Sequence, residues 1–224
     1  MIRMDIEGVI FDLDGTLVDT IEDIAGSVNE MFSRNGLPVH EVSRYLEWVG
    51  SGATRLVQQA HGGILEEVNL RKYVTEFKEI YSKNLHHRSR VYDGVTGVLD
   101  VLAGEGVRLA ILSNKPHLLT RKVVSHYLSR WPFHPVLGQR DDVPRKPDPA
   151  GALEISALLG LDPARILFAG DSQNDMLTAR AAGMIPLGVS WGYGGLGTGE
   201  EKQDYTVINR PSELLSFIKN QSHS

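Results

Sequence analysis

Short apolar runs that stop abruptly at polar residues recur along this chain, and helical patterns fill the intervals between them. Val9-Ile10-Phe11 breaks off at Asp12-Leu13-Asp14-Gly15-Thr16, and Arg108 to Leu112 at Ser113-Asn114-Lys115-Pro116. Arg165 to Ala169 breaks off at Gly170-Asp171-Ser172, and Pro186 to Val189 at Ser190-Trp191-Gly192. Each run is too short for a helix and reads as a buried strand. Between them, apolar residues recur at helical spacing: Val95, Val98, Leu99 and Leu102; Leu118, Leu119, Val123 and Val124; Ala152, Leu153, Ile155, Leu158 and Leu159; then Met176, Leu177 and Ala179 to Ala182. Strand alternating with helix predicts an α/β protein with a doubly wound parallel sheet. Ligands of such sheets sit beyond the carboxyl ends of the strands, where these polar clusters fall.

Residues from about Ile21 to Leu85 break the alternation. Ile21, Ile24, Ala25, Val28, Met31 and Phe32 mark one helix, opened by Thr20 as N-cap and closed by Gly36 and Pro38. Val42, Tyr45, Leu46 and Val49 continue a shorter pattern, and Val68, Tyr73, Phe77, Ile80 and Tyr81 a longer one. The expected organisation is a core of residues 1–17 and 90–224 interrupted by an all-helical domain of residues 18–89. At 224 residues the chain has length for one core domain with a sizeable insertion, or for two small domains. Pro211 to Lys219 reads as a closing amphipathic helix and Asn220 to Ser224 as a frayed end.

Composition narrows the chemistry. There is no cysteine, which excludes disulfides, thiolate metal sites and cysteine nucleophiles. A net charge of −5 without a basic tract argues against wholesale binding of nucleic acid or anionic membranes. Met1 to Glu7 carries acids early and lacks an apolar run, so neither a signal peptide nor a spanning helix is expected, and the cytoplasm is the default location. Net charge says nothing about self-association.

Asp12 and Asp14 end one strand, and Asp171 and Asp175 lie at another strand end and one helical turn on. Asp-Gly is a common turn former, and Ser172 or Asp171 capping the next helix would account for one acid. Neither accounts for four carboxylates at two strand ends. If those strands are neighbours, the crowded charge suits Mg²⁺, which is commonly held by carboxylates together with a substrate phosphate. Ser113 and Asn114 offer a hydroxyl and an amide to phosphoryl oxygens, and Lys146, in a loop bounded by Pro147 and Pro149, offers a positive charge.

In this order the motifs resemble those of the haloacid dehalogenase superfamily: Asp12 to Thr16, Ser113-Asn114, Lys146-Pro147, and Gly170-Asp171-Ser172 with Asp175. The resemblance spans nearly the whole chain. It implies a Rossmannoid core, a helical cap after the first strand, and hydrolysis of a small phosphorylated metabolite. Phe11 to Thr20, Lys146 to Pro149, Gly170 to Asp175 and Trp191-Gly192-Tyr193-Gly194 look most like the phosphoglycolate phosphatase branch. It further implies Asp12 as nucleophile forming an aspartyl-phosphate, and Asp14 as general acid and then base, able to hold a proton because it faces like charge. Mg²⁺ would be bound by Asp12, Asp171 and the backbone carbonyl of Asp14, with Asp175 as a further or water-mediated ligand. Lys146 would screen the nucleophile, Ser113 and Asn114 would orient the phosphoryl group, and Gly15 would let backbone amides approach it. An acid at Asp14 favours phosphate over halide chemistry, since a halide leaves without a proton.

Substrate selection is expected on the cap. Gly50 to Arg55 either reaches into the site, with Arg55 binding a second anionic group, or is a helix-initiating turn with a surface arginine. Pyrophosphatase, nucleoside monophosphatase, and sugar-phosphate phosphatase or mutase activities share the catalytic motifs, and a non-catalytic phosphate-binding module shares the fold. A phosphonate-cleaving relative would need a cap lysine, whereas Lys72, Lys78 and Lys83 fall on a charged, solvated face. The Gly192 to Gly197 pattern resembles a dinucleotide fingerprint but lacks a following helix, so it reads as a loop. His86 and His87 read as solvated.

Overall fold

The computed structural model describes residues 6–196 and 204–221. Residues 1–5, on which the reading of the amino terminus leans, Gly197 to Gly199 of the glycine-rich segment, and 222–224 lie outside them. In chain order the strands are β1 (Gly8–Phe11), β2 (Val18–Asp19), β3 (Arg90–Val91), β4 (Arg108–Pro116), β5 (Phe133–Gln139), β6 (Ile166–Gly170), β7 (Ile185–Val189) and β8 (Thr206–Ile208). The helices are α1 (Ile21–Arg34), α2 (Val42–Tyr45), α3 (Ala53–His61), α4 (Glu67–Asn84), α5 (Val95–Gly104), α6 (His117–Tyr127), α7 (Ala150–Leu159), α8 (Gln173–Ala181) and α9 (Glu213–Gln221).

Six strands form one parallel sheet in the order β5-β4-β1-β6-β7-β8, so β1 lies between β4 and β6. From β1 the chain builds outward through β4 and β5, then crosses to β6 on the other side. That reversal places the ends of β1, β4 and β6 together, the position where open α/β sheets bind ligands. The strand alternation settles which side chain goes where. Val9 and Phe11, Leu109 and Ile111, Leu167 and Ala169 face one apolar layer, which includes α5 and α6. Ile10, Ala110, Leu112, Ile166 and Phe168 face a second, packed by Ala152, Ile155 and Ala179 of α7 and α8. Burial on both faces is why these strands read as continuous apolar runs.

The sheet holds two strands that the apolar-run pattern misses. β5, Phe-His-Pro-Val-Leu-Gly-Gln, carries a proline and a glycine, and β8 is only three residues long. Both lie at sheet edges, where proline is tolerated and half-exposed strands need no apolar run. β4 also runs on through Ser113, Asn114 and Lys115 to Pro116, where a polar turn was expected. At the carboxyl end, Asn220 lies within α9 and is not frayed.

α1 to α4 occupy the interval between β2 and β3, which pair as a short antiparallel ribbon, Val18 with Val91 and Asp19 with Arg90. Met31, Phe32, Tyr45, Leu56, Val57, Phe77 and Tyr81 are buried among these helices, whereas Val68 is 77% exposed and lies off the packed face. In the core helices, Leu118 and Leu158 likewise face outward. Asp23 of α1 fixes the returning chain: Oδ1 accepts from the Arg88 amide at 2.9 Å, and Oδ2 accepts from the Ser89 amide at 2.9 Å and its hydroxyl at 2.6 Å. Thr20 precedes α1 but does not cap it with its hydroxyl. No helix of the described residues is long and apolar enough to cross a membrane.

Candidate active site

β1 delivers Asp12 at its end, and Asp12 N donates to Ala169 O of β6 at 2.9 Å, which locks the two strand ends together. The turn that follows needs Gly15: its φ is +87°, and a Cβ there would lie 2.4 Å from Asp171 Oδ2. Asp171 follows β6, and Asp175 is in the first turn of α8. One oxygen from each of Asp12, Asp171 and Asp175 lies within 4.8 Å of the others, all three residues being buried. The four-acid grouping expected from the sequence is thus three, with the Asp14 side chain turned elsewhere.

Lys146 sits behind this cluster, its side chain 3% exposed. Its Nζ donates to Asp175 Oδ1 at 2.6 Å and to Leu112 O at 3.0 Å, and lies 2.9 Å from Asp12 Oδ1. The Asp12 contact is an ion pair without hydrogen-bond alignment, so Asp12 Oδ1 is buried with no hydrogen-bond partner. Asp175 Oδ2 accepts from the Ser172 amide at 3.0 Å and from its hydroxyl at 2.6 Å. Asp175 therefore does two jobs, completing the capping box of α8 and holding Lys146. Asp171 Oδ2 accepts from the amides of Tyr193 at 2.6 Å and Gly194 at 3.1 Å.

The electrostatics follow from burial and crowding. Burial raises the Asp12 carboxyl, and Asp175 and Asp171 add to that against the opposing pull of Lys146, so that it is pushed up to about 8. Burial and then Asp175 raise Asp171 to about 6, against the two amides that favour its charge. Burial alone would lower the Lys146 ammonium, but Asp12 and Asp175 outweigh it and hold it above the ordinary lysine range. Three buried carboxylates converging beside a single ammonium fit a divalent cation, and an all-oxygen donor set suits a hard one.

Asp14 points away from the cluster into a cavity of about 70 Å³. Its carboxylate accepts from Thr20 Oγ1 at 2.7 Å and from Lys115 Nζ at 2.7 and 2.9 Å. It therefore faces an ammonium, not the like charge expected, and at rest it accepts hydrogen bonds. Thr20 spends its hydroxyl there, which explains why it leaves α1 uncapped. Tyr193 Oη takes over, accepting from the amides of Thr20 at 2.6 Å and Ile21 at 3.0 Å while donating to Asp19 at 2.8 Å.

Ser113 and Asn114 line the cavity with Asp12, Asp14 and Asp171. Asn114 is already engaged: Oδ1 accepts from the Lys146 amide at 2.9 Å, and Nδ2 donates to Lys146 O at 3.1 Å and Gly50 O at 3.0 Å. It fastens the Lys146 loop and the Gly50 turn to β4. Gly50, Gly52, Ala53 and Leu56 line the cavity from the helical side. Arg55 is not brought to it; the residue is exposed near the start of α3, and Gly50 to Arg55 forms the helix-initiating turn.

Two contributions are not legible in the sequence. Lys115 is buried at the end of β4, and a lone lysine there carries no signal of that. Tyr193, named above only within the string Trp191 to Gly194, works across more than 170 residues. Its flanking glycines are required by contact: a Cβ on Gly192 would lie 2.3 Å from Asp171 Cβ and one on Gly194 2.2 Å from Asp171 O. The described part of the glycine-rich segment, Gly192 to Leu196, is a loop, and that loop buttresses Asp171. His86 and His87 are exposed, and His86 stacks on His126 at 5.0 Å.

Residues 9–189 match the family model described as haloacid dehalogenase-like hydrolase. The chain is 34% identical over 213 residues to phosphoglycolate phosphatase 1 of Pseudomonas aeruginosa, covering 92% of this chain and 78% of that one. It is 32% identical over 216 residues to phosphoglycolate phosphatase of Haemophilus influenzae, covering 93% and 96%. The crystal structure of a predicted phosphoglycolate phosphatase from Haemophilus somnus superposes with a TM-score of 0.83 at 29% identity, covering 95% of this chain and 98% of that one.

Proposed function

The chain belongs to the haloacid dehalogenase-like hydrolase family, and from that premise we propose that it is a Mg²⁺-dependent phosphatase acting on 2-phosphoglycolate. The convergence of Asp12, Asp171 and Asp175 beside Lys146, at the edge of a cavity that also exposes Asp14 and Ser113, supports this above all. Its similarity to phosphoglycolate phosphatases supports that substrate.

Asp12 is the nucleophile. A carboxylate oxygen of Asp12 forms a bond to phosphorus as the bond from phosphorus to the ester oxygen breaks, giving an aspartyl-phosphate. Asp14 takes up a proton in the loaded site and passes it to the departing alkoxide. Water then attacks phosphorus, Asp14 accepts its proton, and inorganic phosphate leaves with Asp12 restored. Asp12, Asp171 and the backbone carbonyl of Asp14 would hold Mg²⁺, with Asp175 behind them or acting through water. The bound cation supplies Lewis-acid screening between the anionic nucleophile and the anionic ester. Lys146 adds fixed positive charge, Ser113 orients the phosphoryl group, Asn114 holds the Lys146 loop in place, and Gly15 leaves room for Asp171 beside it. We take residues 18–89 to be a cap that closes over the site. The β2-β3 ribbon at its two ends supports that assignment.

Phosphate release from 2-phosphoglycolate, pyrophosphate, a nucleoside monophosphate and a hexose phosphate, with and without Mg²⁺, tests the proposal against Asp12→Asn as blank. Metal-dependent release, greatest with 2-phosphoglycolate, is expected. Preference for another ester would keep the chemistry and change the substrate; release that ignores metal or survives Asp12→Asn would overturn the mechanism.

A further inference from the structure

The cavity holds one cation that the phosphoryl chemistry above does not use. Among the described residues that line it only Lys115 is basic, set against Asp12, Asp14 and Asp171. Lys146 lies behind the carboxylates, outside the lining, and Arg55 is exposed on α3, likewise outside it. Lys115 is 4% exposed in its side chain, and its three bonds are to the two oxygens of Asp14 and to Tyr81 Oη at 2.7 Å. Tyr81 also presents its ring, with Nζ 4.5 Å from the centroid, and stacks on Phe77. A helix of the insert thus clamps the ammonium from one side while the core holds it from the other. A desolvated, positioned ammonium of this kind is a strong partner for a carboxylate.

We propose that Lys115 is the specificity-determining residue of this site, pairing with a carboxylate carried one carbon from the bridging ester oxygen of the substrate. The inference rests on the assignment of Asp14 as the group that meets that oxygen. Nζ lies 2.7–2.9 Å from the Asp14 carboxylate, so whatever is bonded to the carbon next to the bridging oxygen falls within its reach. Ile24, Leu56, Phe77 and Leu119 make the rest of that side apolar. A short phosphorylated acid satisfies both features, whereas a polyhydroxylated leaving group would leave hydroxyls unpaired. Tyr81 is a positioning residue for the ammonium.

The test compares kcat/KM for 2-phosphoglycolate and for ethyl phosphate, which offers the same phosphoryl group without the carboxylate, in the Mg²⁺-loaded wild type, Lys115→Met and Lys115→Gln. Thermal melting checks that each variant is folded. The wild type should favour 2-phosphoglycolate, and both variants should lose that preference by about 100-fold, chiefly through KM. A wild-type preference that persists within about threefold in the variants would overturn the role of Lys115 and leave the substrate assignment standing, even if both rates fall together. A wild type that does not distinguish the two esters would overturn the substrate assignment, and this inference with it.

Discussion

Asp12 combines burial, two like charges and one opposing cation, and its consequences can be measured without substrate. A carboxyl raised from 3.8 to about 8 on folding holds its proton in the native chain where the unfolded chain has lost it. Its contribution to stability is therefore fully present below about pH 4 and is lost as pH rises toward 8. Asp171, raised to about 6, adds a loss between about 4 and 6. In metal-free buffer, Asp12→Asn should melt above the wild type by a margin that widens from pH 5 to pH 8; a constant margin in thermal scans would contradict this account. Lys146→Ala removes the ammonium from Asp12 and Asp175 together and should lower kcat by about 10³-fold or more, read in steady-state assays. Asp12, Asp14, Asp171 and Lys146 were legible because acids and a lysine at strand ends form a pattern. Lys115 was not, because most lysines are solvated and nothing in Ser113-Asn114-Lys115-Pro116 reports that Tyr81, 34 residues earlier, closes over it.

At the level of elements, the loop of Gly192 to Gly194 links the acidic cluster to the start of α1. Its amides hold Asp171, and its tyrosine hydroxyl accepts the first amides of α1. Tyr193→Phe leaves those amides without that acceptor and should cost about 1–3 kcal/mol in denaturant unfolding, with little change in m-value. A loss under about 0.5 kcal/mol would mean that solvent replaces the hydroxyl freely. The apolar runs of β1, β4, β6 and β7 were readable because burial on both faces writes itself into composition. β5 and β8, at the edges, lack that imprint, and a ribbon of two-residue strands is too short to leave any. Thr20 illustrates the limit of local rules: it stands at an N-cap position, but a carboxylate six residues earlier takes its hydroxyl.

For the whole molecule, a parallel sheet whose strand order reverses beside β1 gathers one acid from each of two neighbouring strand ends, and apolar residues of the inserted helices line the cavity with them. A cation binding there binds the native state alone, so it should raise the melting temperature. The gain approaches about 2.7 kcal/mol at a hundredfold excess over Kd. Mg²⁺ should give such a rise in the wild type and a much smaller one in Asp171→Asn; equal rises in thermal scans would place the cation elsewhere.

In the proposed reaction Asp12 itself carries the phosphoryl group. Acid quenching of Mg²⁺-loaded enzyme during turnover of 2-phosphoglycolate, followed by peptide mass spectrometry, tests it most directly. The peptide containing Asp12 should gain the mass of one phosphoryl group, and the gain should vanish in Asp12→Asn. Turnover with that peptide unmodified at every quench time, or modification that survives Asp12→Asn, would contradict the account.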